Sequence, residues 1–344
     1  MKIGNFDLKK DGTFIIAELS ANHNGSLQIA LDTIKAAKEI GANAIKLQTY
    51  TADTLTLNSN KEDFIVKGGT LWDGKTLHEL YSEAFTPWEW HEELFAYARS
   101  IGIDIFSTPF DKSAVDFLEQ FNPSAYKIAS FEITDYELIR YAASKMKPMI
   151  ISTGIATIDE IQDAVDICKS EGNLDIILLK CTSSYPAPLE SANLLTIPNL
   201  AHTFGVMSGF SDHTVGSTAP IVAVTLGAKV IEKHFIIDKN IGGADAAFSM
   251  EKKDFRQLIE AIRDTEKLLG KVDYSTAGKK GRDFSRSLYA SKDIKKGEVL
   301  THENIKSVRP GYGLHPKYLK DILGKVANYD IEFAQPLKKD SVSW

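Results

Sequence analysis

The chain has 344 residues, of which 43% are hydrophobic and 25% charged, and its net charge is −6. This composition is typical of a globular protein with a large core, and the acidic balance predicts no nucleic-acid partner. The two cysteines, Cys168 and Cys181, cannot form a disulfide framework, which favours a reducing compartment. The start MKIGNFDLKKDG has no apolar signal segment, and no apolar run approaches the roughly 20 residues that cross a bilayer. We therefore expect a cytoplasmic protein without a membrane partner.

Short apolar runs alternate with amphipathic stretches of helical length through residues 1–270. Stretches such as LQIALDTIKAAKEIG and TIDEIQDAVDICKSEG lie between β-branched runs, a pattern that indicates βα units and a parallel sheet. Eight such units in about 270 residues match a (β/α)8 TIM barrel; a doubly wound open sheet is the structural alternative. The eight predicted strands are TFIIAEL, AIKLQ, DIFSTP, AYKIAS, MIISTG, DIILLKC, VMSGFSDH and KVIEKHF.

Two segments depart from this repeat. Residues 50–86 are too long for a simple βα connection, and we expect them to form a loop over the barrel mouth that covers a substrate. Residues 271–283, rich in Gly and Lys, predict a linker. The short alternating segments of residues 284–344, with scattered Gly and Pro, predict a small, mostly β domain.

Polar side chains end each of the predicted barrel strands. The carboxyl ends of barrel strands face one mouth, where active sites lie, so these groups should converge there. His213 and His234 end the neighbouring seventh and eighth strands, which brings their imidazoles within reach of one another. The polar residues at the strand ends are Glu18, Lys46, Gln48, Ser107, Thr108, Lys127, Ser130, Ser152, Thr153, Cys181, Thr182, Asp212, His213, Lys233 and His234.

Eight motifs follow one another in barrel order: AELSANHNGS, AIKLQTY, FSTPF, YKIASFE, ISTGIAT, CTSSYP, GFSDHT and VIEKHF. Together they resemble the sialic acid synthase family, and the tail from about residue 284 resembles the antifreeze-like (SAF) domain of that family. The resemblance covers essentially the whole chain. It implies a transferase that condenses phosphoenolpyruvate with an amino sugar, forming a carbon–carbon bond in a nine-carbon keto acid and releasing phosphate.

The sugar is implied by two further segments, residues 58–91 and SVRPGYGLHP at 307–316. Both are most similar to members of the family that use 2,4-diacetamido-2,4,6-trideoxy-L-altrose. The alternative is one of the other amino sugars of the family, which lead to sialic or legionaminic acid.

The resemblance implies an anion site for phosphoenolpyruvate at the barrel mouth. Lys46 and Lys127 would supply positive charge, and hydroxyl groups would donate hydrogen bonds. Lys180 and Lys233 are expected to be structural or to support the residues that contact the substrate. The implied hydroxyl donors are Thr108, Ser130, Ser152, Thr153 and Ser183.

The resemblance also implies a divalent metal, Mn²⁺ or Mg²⁺, bound by His213 and His234 with oxygen ligands from water and substrate. Such a metal polarises the sugar aldehyde, so His234 counts as catalytic. Asp212 is expected to orient His213. Glu18 is the candidate that stabilises positive charge at C2 or activates the attacking water. His23, in ANHNG, contacts substrate or caps the turn.

A third set of residues is implied for the sugar. Asp245 lies in GGADAAFS, where much of the family carries a Gly-Pro-Asp segment. Arg309 matches the arginine that the tail of one chain holds over the sugar site of its partner, which implies a homodimer with the tail domain over the partner's barrel. The implied sugar-binding residues are Asn22, Gln48, Tyr185, Asp245, Phe284 and Arg309.

Two other functions remain alternatives from the sequence. A Schiff-base aldolase on the same barrel would use Lys127 or Lys46 as its nucleophile. A sugar- or ice-binding protein built around the tail would not be an enzyme. Trapping by borohydride distinguishes the first, and release of phosphate from phosphoenolpyruvate distinguishes both.

Overall fold

The computed structural model describes residues 1–67, 72–275 and 278–344, which form two compact units, Met1–Gly270 and Lys271–Trp344. Residues 68–71 of the predicted loop at 50–86 lie outside the described residues. The same holds for residues 276–277 of the predicted linker at 271–283.

Eight parallel strands of the first unit close into a barrel. The last strand pairs with the first, His234 opposite Glu18, and also with the seventh, Lys233 opposite Asp212. A doubly wound sheet would remain open at two edges, so that alternative is wrong and the predicted (β/α)8 barrel is confirmed. The strands are β1 (Phe14–Glu18), β2 (Ala44–Thr49), β3 (Asp104–Pro109), β4 (Tyr126–Ile128), β5 (Met149–Ser152), β6 (Ile176–Cys181), β7 (Met207–Asp212) and β8 (Val230–Ile236).

A helix follows each strand and packs its apolar face onto the barrel wall. The first helix shows how local sequence sets the bounds: the Ser26 hydroxyl caps its first turn, and Gly41, in the left-handed region with φ 90°, ends it. No helix among the described residues is long and apolar enough to cross a bilayer. The helices are α1 (Leu27–Ile40), α2 (His91–Ser100), α3 (Lys112–Glu119), α4 (Tyr136–Ala143), α5 (Ile158–Ser170), α6 (Thr196–Phe204), α7 (Thr218–Thr225) and α8 (Lys252–Leu269).

The interior of the barrel is apolar at the amino ends of its strands and polar at the carboxyl ends. Side chains alternate across a strand, so Phe14, Ile16 and Glu18 share one face of β1. Phe14 and Ile16 belong to a buried apolar cluster, whereas Glu18 stands above it at the mouth. The other strands add to this cluster Ala44, Phe106, Ala125, Ile150, Ile177, Leu179 and Val230.

Two helices and a turn of 3-10 helix lie in the long connection after β2. They are Ala52–Leu55, Leu77–Ala84 and the turn Glu62–Phe64. An extra short strand, Met250–Glu251, pairs with the end of β8.

The second unit has a core of its own, small and mostly β as predicted. Strands Ser287–Ala290 and Ile305–Val308 pair antiparallel, and a one-turn helix spans Leu319–Ile322. The remaining chain is joined by isolated bridges such as Ile294–Ile331. The buried apolar residues are Leu288, Ala290, Ile294, Leu300, Ile305, Ile322, Ala327, Ile331, Leu337 and Val342.

Candidate active site

Four charged side chains share the polar end of the barrel interior. Lys46 Nζ lies 2.5 Å from Glu18 Oε2 and 3.8 Å from Glu232 Oε1. Lys127 Nζ lies 3.9 Å from the same Glu232 oxygen and donates to Ser152 Oγ at 2.7 Å. All four charged groups are at least 95% buried. The interior therefore holds two ammonium groups and two carboxyl groups with almost no access to water.

These neighbours shift the four pKa values in different directions. Burial raises the pKa of Glu18 to about 7, although Lys46 works in the opposite sense. Burial also acts against the charge of Glu232, but the ammonium groups of Lys127 and Lys46 outweigh it and hold its pKa below the usual range. Burial lowers the pKa of Lys127. For Lys46 the carboxylates of Glu18 and Glu232 overcome burial, and the pKa is raised.

Hydroxyl groups surround a narrow gap beside Lys127. Ser130 Oγ accepts a hydrogen bond from Gly154 N at 3.1 Å and also interacts with the Cys181 side chain. Ser183 Oγ is buried and has no hydrogen-bond partner among the described residues. A Cβ at Gly154 would lie 2.5 Å from Ser183 Oγ and 2.8 Å from Ser130 Oγ, so a larger residue there would displace these hydroxyls. The gap suits the oxygens of a small anion.

Two of the predicted ligand contacts differ in the structure. The Thr153 hydroxyl donates to Leu179 O at 3.1 Å, so its proton is not available to an anion. Asn22 is fully buried, and its amide donates to Phe235 O at 3.0 Å and to Ser249 Oγ at 2.8 Å. Its side chain ties the loop after β1 to the loop after β8 and does not line the cavity described below.

The two predicted histidines meet at the mouth, with ring centroids 5.4 Å apart. His213 Nδ1 lies 2.9 Å from Thr182 O; a proton on Nδ1 would donate to this carbonyl and leave Nε2 with a free lone pair. Burial lowers the pKa of His234 well below its usual value, so this ring is neutral as a metal ligand must be. Its Nδ1 has no hydrogen-bond partner among the described residues and faces Asp245 Oδ2 at 3.7 Å. Burial lowers the pKa of His213, but Cys181 and the Thr182 carbonyl outweigh it and raise that pKa, so the pair can hold a divalent cation once His213 has lost its proton.

The described residues contain no group of three or more His, Cys, Asp or Glu side chains that could hold a metal. Two imidazoles alone would leave the other positions to water and substrate, as the sequence predicts.

Asp212 does not orient His213, which corrects the sequence-based expectation. Consecutive residues of a strand point to opposite faces, so Asp212 lies outside the barrel when its neighbour faces the mouth. Its Oδ2 accepts from Lys233 Nζ at 2.6 Å, and its Oδ1 accepts from Thr214 N at 2.8 Å. Lys233 is structural, as expected, and the Thr182 carbonyl orients His213 instead.

A cavity of about 450 Å³ opens above the histidines. The barrel contributes the predicted residues Gln48, Ser183, Tyr185, His234 and Asp245 to its lining. The predicted covering loop lies over this mouth, because its helices supply most of the opposite wall. The residues of the connection that line the cavity are Tyr50, Leu55, Val66, Trp72, Leu77, Leu80, Tyr81 and Ala84.

Two carboxyl groups were missed by the sequence reasoning. Glu232 precedes His234 by two positions on β8, and this spacing alone places both side chains on the inner face. Glu132 follows β4 and lines the cavity; burial raises its pKa to about 7, and Oε2 has no hydrogen-bond partner in the described chain. The sequence feature that could have identified Glu132 is its position just beyond a strand that ends at the mouth.

The remaining predicted residues do not line the cavity. His23 caps the turn: its Nδ1 accepts from Gly25 N at 3.1 Å, and its Nε2 lies 3.3 Å from Thr86 Oγ1. Burial lowers the pKa of His23 to about 4. Phe284 and Arg309 are exposed on the second unit.

Comparison with known proteins gives the family. Residues 33–274 match the NeuB family, and residues 285–343 match the SAF domain. The chain therefore belongs to the NeuB family and carries a SAF domain at its C-terminal end.

Several relatives span the whole chain. A pseudaminic acid synthase of Campylobacter jejuni is 54% identical over 341 residues, covering 98% of this chain and 99% of the relative. A pseudaminic acid synthase of Helicobacter pylori is 50% identical over 331 residues, covering 95% and 97%. The crystal structure of the spore coat polysaccharide biosynthesis protein SpsE of Bacillus subtilis matches with a TM-score of 0.67 at 36% identity, covering 100% of this chain and 99% of that one.

We predict that Glu18 titrates near neutral pH and that Glu232 contributes to this shift. A neighbouring negative charge disfavours ionisation, so Glu232→Gln should lower the pKa of Glu18 from about 7. The measurement is a carbon-13 NMR titration of labelled glutamate, with the Glu18 signal assigned from Glu18→Gln. The exposed Glu190→Gln is the control and should change nothing. A Glu18 midpoint at the ordinary 4.5, or an increase in Glu232→Gln, would contradict the arrangement.

Proposed function

We propose that this chain condenses phosphoenolpyruvate with 2,4-diacetamido-2,4,6-trideoxy-L-altrose to give pseudaminic acid and phosphate. The observation that carries the proposal is the meeting of Lys46, Lys127 and the hydroxyl gap with the pair His213 and His234 at one end of the barrel. A trianionic substrate and an aldehyde need these two kinds of group next to each other. The full-length relatives named above support the choice of sugar.

Lys46 and Lys127 bind phosphoenolpyruvate in this proposal. Each ammonium group already contacts a carboxylate, so an incoming anion joins a site whose charges are balanced. The hydroxyls that complete the anion site are Thr108, Ser130, Ser152 and Ser183.

His213 and His234 would hold the divalent metal, Mn²⁺ or Mg²⁺, through ring nitrogens. When bound, such a cation supplies Lewis-acid polarisation of the sugar aldehyde. Tyr185 packs on His213 with centroids 4.3 Å apart and restricts the approach of water to the ring.

Glu18 acts on the second half of the reaction. Bond formation between C3 of phosphoenolpyruvate and the aldehyde carbon breaks the C=O π bond, and the aldehyde oxygen takes up a proton to become a hydroxyl group. The positive charge left on C2 is stabilised by a carboxylate. Water then adds to C2 and loses a proton, and the C–O bond to phosphate breaks to leave the keto acid. A group with a pKa near 7 is suited to accept that proton at physiological pH.

One observation favours the Schiff-base alternative. Burial lowers the pKa of Lys127, and a desolvated lysine is the usual nucleophile of such aldolases. The pair of histidines has no role in Schiff-base chemistry. We therefore retain the aldolase alternative only as an outcome of the tests.

We predict that activity requires a metal held by His213 and His234. Phosphate release from phosphoenolpyruvate and the altrose sugar should stop after treatment with a chelator and return with Mn²⁺ or Mg²⁺. The double variant His213→Ala/His234→Ala should fold and lose nearly all activity, because no imidazole remains to bind the cation. His202→Ala, on the exposed side of α6, is the control and should keep normal activity. Normal turnover by protein verified as metal-free would refute the metal role, and no release of phosphate with any family sugar would refute the proposed reaction.

The SAF domain, residues 284–344 beyond a linker at 271–283, is proposed to act in trans within a homodimer. Arg309 would donate its paired N–H groups to the acetamido carbonyls of the sugar in the partner's barrel, and Phe284 would pack beside it. Exclusion of water by this domain would strengthen the electrostatic interactions at the mouth. A cytoplasmic location, where phosphoenolpyruvate is available, is part of the same proposal.

The action in trans predicts complementation between two inactive variants. Mixed dimers of Arg309→Ala and His234→Ala chains should regain part of the activity, since one of the two sites then has both functional groups. Phosphate release is measured before and after exchange of subunits, and each variant mixed with itself is the control. Absence of recovery in dimers shown to have exchanged would place Arg309 in its own chain's site or outside the site.

A further inference from the structure

One helix of the connection after β2 turns its apolar face toward the cavity instead of the core. In helix Leu77–Ala84, the residues Leu77, Leu80, Tyr81 and Ala84 all line the cavity. Their spacing of i, i+3, i+4 and i+7 forms one continuous stripe along the helix. None of the residues of this helix is buried. An apolar stripe that is neither in the core nor on the outer surface indicates contact with a ligand.

The stripe is held in a fixed place over the barrel. Thr76 and Glu79 form a capping box that fixes the start of the helix. The Tyr81 ring packs edge-on against Tyr50 with centroids 5.8 Å apart, and Tyr50 packs against Phe110 at 5.1 Å. Tyr50 is only 3% exposed, so the barrel anchors the helix through it.

The charged and amide groups of the same cavity lie on its barrel side, beside the rings of Phe110, Phe131 and Phe248. His234, Asp245 and Glu132 lie there, together with Gln48 and the Tyr185 ring. A ligand that fills the cavity therefore meets the charged and amide groups toward the barrel and the Leu77 and Leu80 side chains on the helix. An ordinary hexose has a hydroxyl at C6, whereas a 6-deoxy sugar ends in a methyl group.

We propose that Leu77 and Leu80 bind the C6 methyl group of the sugar and thereby select 6-deoxy amino sugars over their 6-hydroxy counterparts, an inference that rests on the proposed function. With the aldehyde at C1 held near His213 and His234, C6 is the far end of the six-carbon chain and reaches toward the stripe. A 6-hydroxyl at that place would lose its hydration against leucine side chains without gaining an equivalent hydrogen bond.

The expected selectivity follows from how apolar pockets treat an added hydroxyl. Such pockets reject an analogue that adds one hydroxyl by roughly a hundredfold, because the penalty is the lost hydration of a single group. The wild-type chain should therefore prefer 2,4-diacetamido-2,4,6-trideoxy-L-altrose over 2,4-diacetamido-2,4-dideoxy-L-altrose by about that factor.

The test compares these two sugars in three variants. Leu80→Asn keeps a similar volume and supplies a hydrogen-bonding group, so the preference should fall below about tenfold. Leu80→Met keeps an apolar side chain and should retain the preference. Ser82→Asn, on the exposed side of the same helix, introduces the same carboxamide group away from the cavity and should also retain the preference. Binding of each sugar is measured by calorimetry and turnover by phosphate release, with the thermal stability of each variant recorded.

The outcomes separate this inference from the proposed reaction. A preference that is lost in Leu80→Asn and kept in the other two variants supports the inference, whether it is seen in binding or in turnover. The inference is overturned if the wild type uses both sugars equally, or if stably folded Leu80→Asn keeps the preference unchanged. Phosphate release in those cases would still support the proposed reaction. Binding with the expected preference but no phosphate release overturns the reaction alone. If the wild type neither binds nor turns over either sugar, both the inference and the proposed reaction are overturned.

Discussion

Charge balance inside the barrel is the constraint on which the rest of the structure depends. Lys46 and Lys127 have no water to solvate them, and a buried charge without a partner costs several kcal/mol. Glu18 and Glu232 provide the partners, and Glu232 is shared by both lysines at 3.8 and 3.9 Å. The site can therefore keep two cations ready for an anionic substrate in the absence of that substrate.

The closed parallel barrel allows a buried charged site to exist beside an apolar core. Period-two alternation lets each strand supply an apolar residue to the lower interior and a polar residue to the mouth. The inner face of β8 carries Val230 in the apolar cluster, then Glu232 in the charge network, then His234, the proposed metal ligand. The same strand pairs with β1, so Glu18 and His234 are direct neighbours in register. The proposed anion site and the histidine pair are thus adjacent at one end of the barrel.

The sequence predicted the barrel, the small β domain and most of the groups at the mouth, because strand periodicity and strand ends are local signals. Asp212 was misassigned because adjacency in sequence was taken for adjacency at the site, whereas strand alternation sends it to Lys233. Glu232 was missed although the same alternation, counted two residues back from His234, places it inside. The amide hydrogens of Asn22 and the hydroxyl of Thr153 are engaged by backbone and side-chain groups distant in sequence, which no local pattern reveals.

We propose that Lys46 and Lys127 bind phosphoenolpyruvate as cations and form no covalent bond to it. Calorimetric titration of phosphoenolpyruvate into wild type and Lys127→Met tests this most directly, with the exposed Lys169→Met as control. Loss of a charge-assisted contact of about 1.5–3 kcal/mol should weaken binding roughly ten- to a hundredfold in Lys127→Met and leave the control unchanged. Unchanged affinity in Lys127→Met, or a borohydride-stable adduct on Lys127 in the wild type, would contradict the claim.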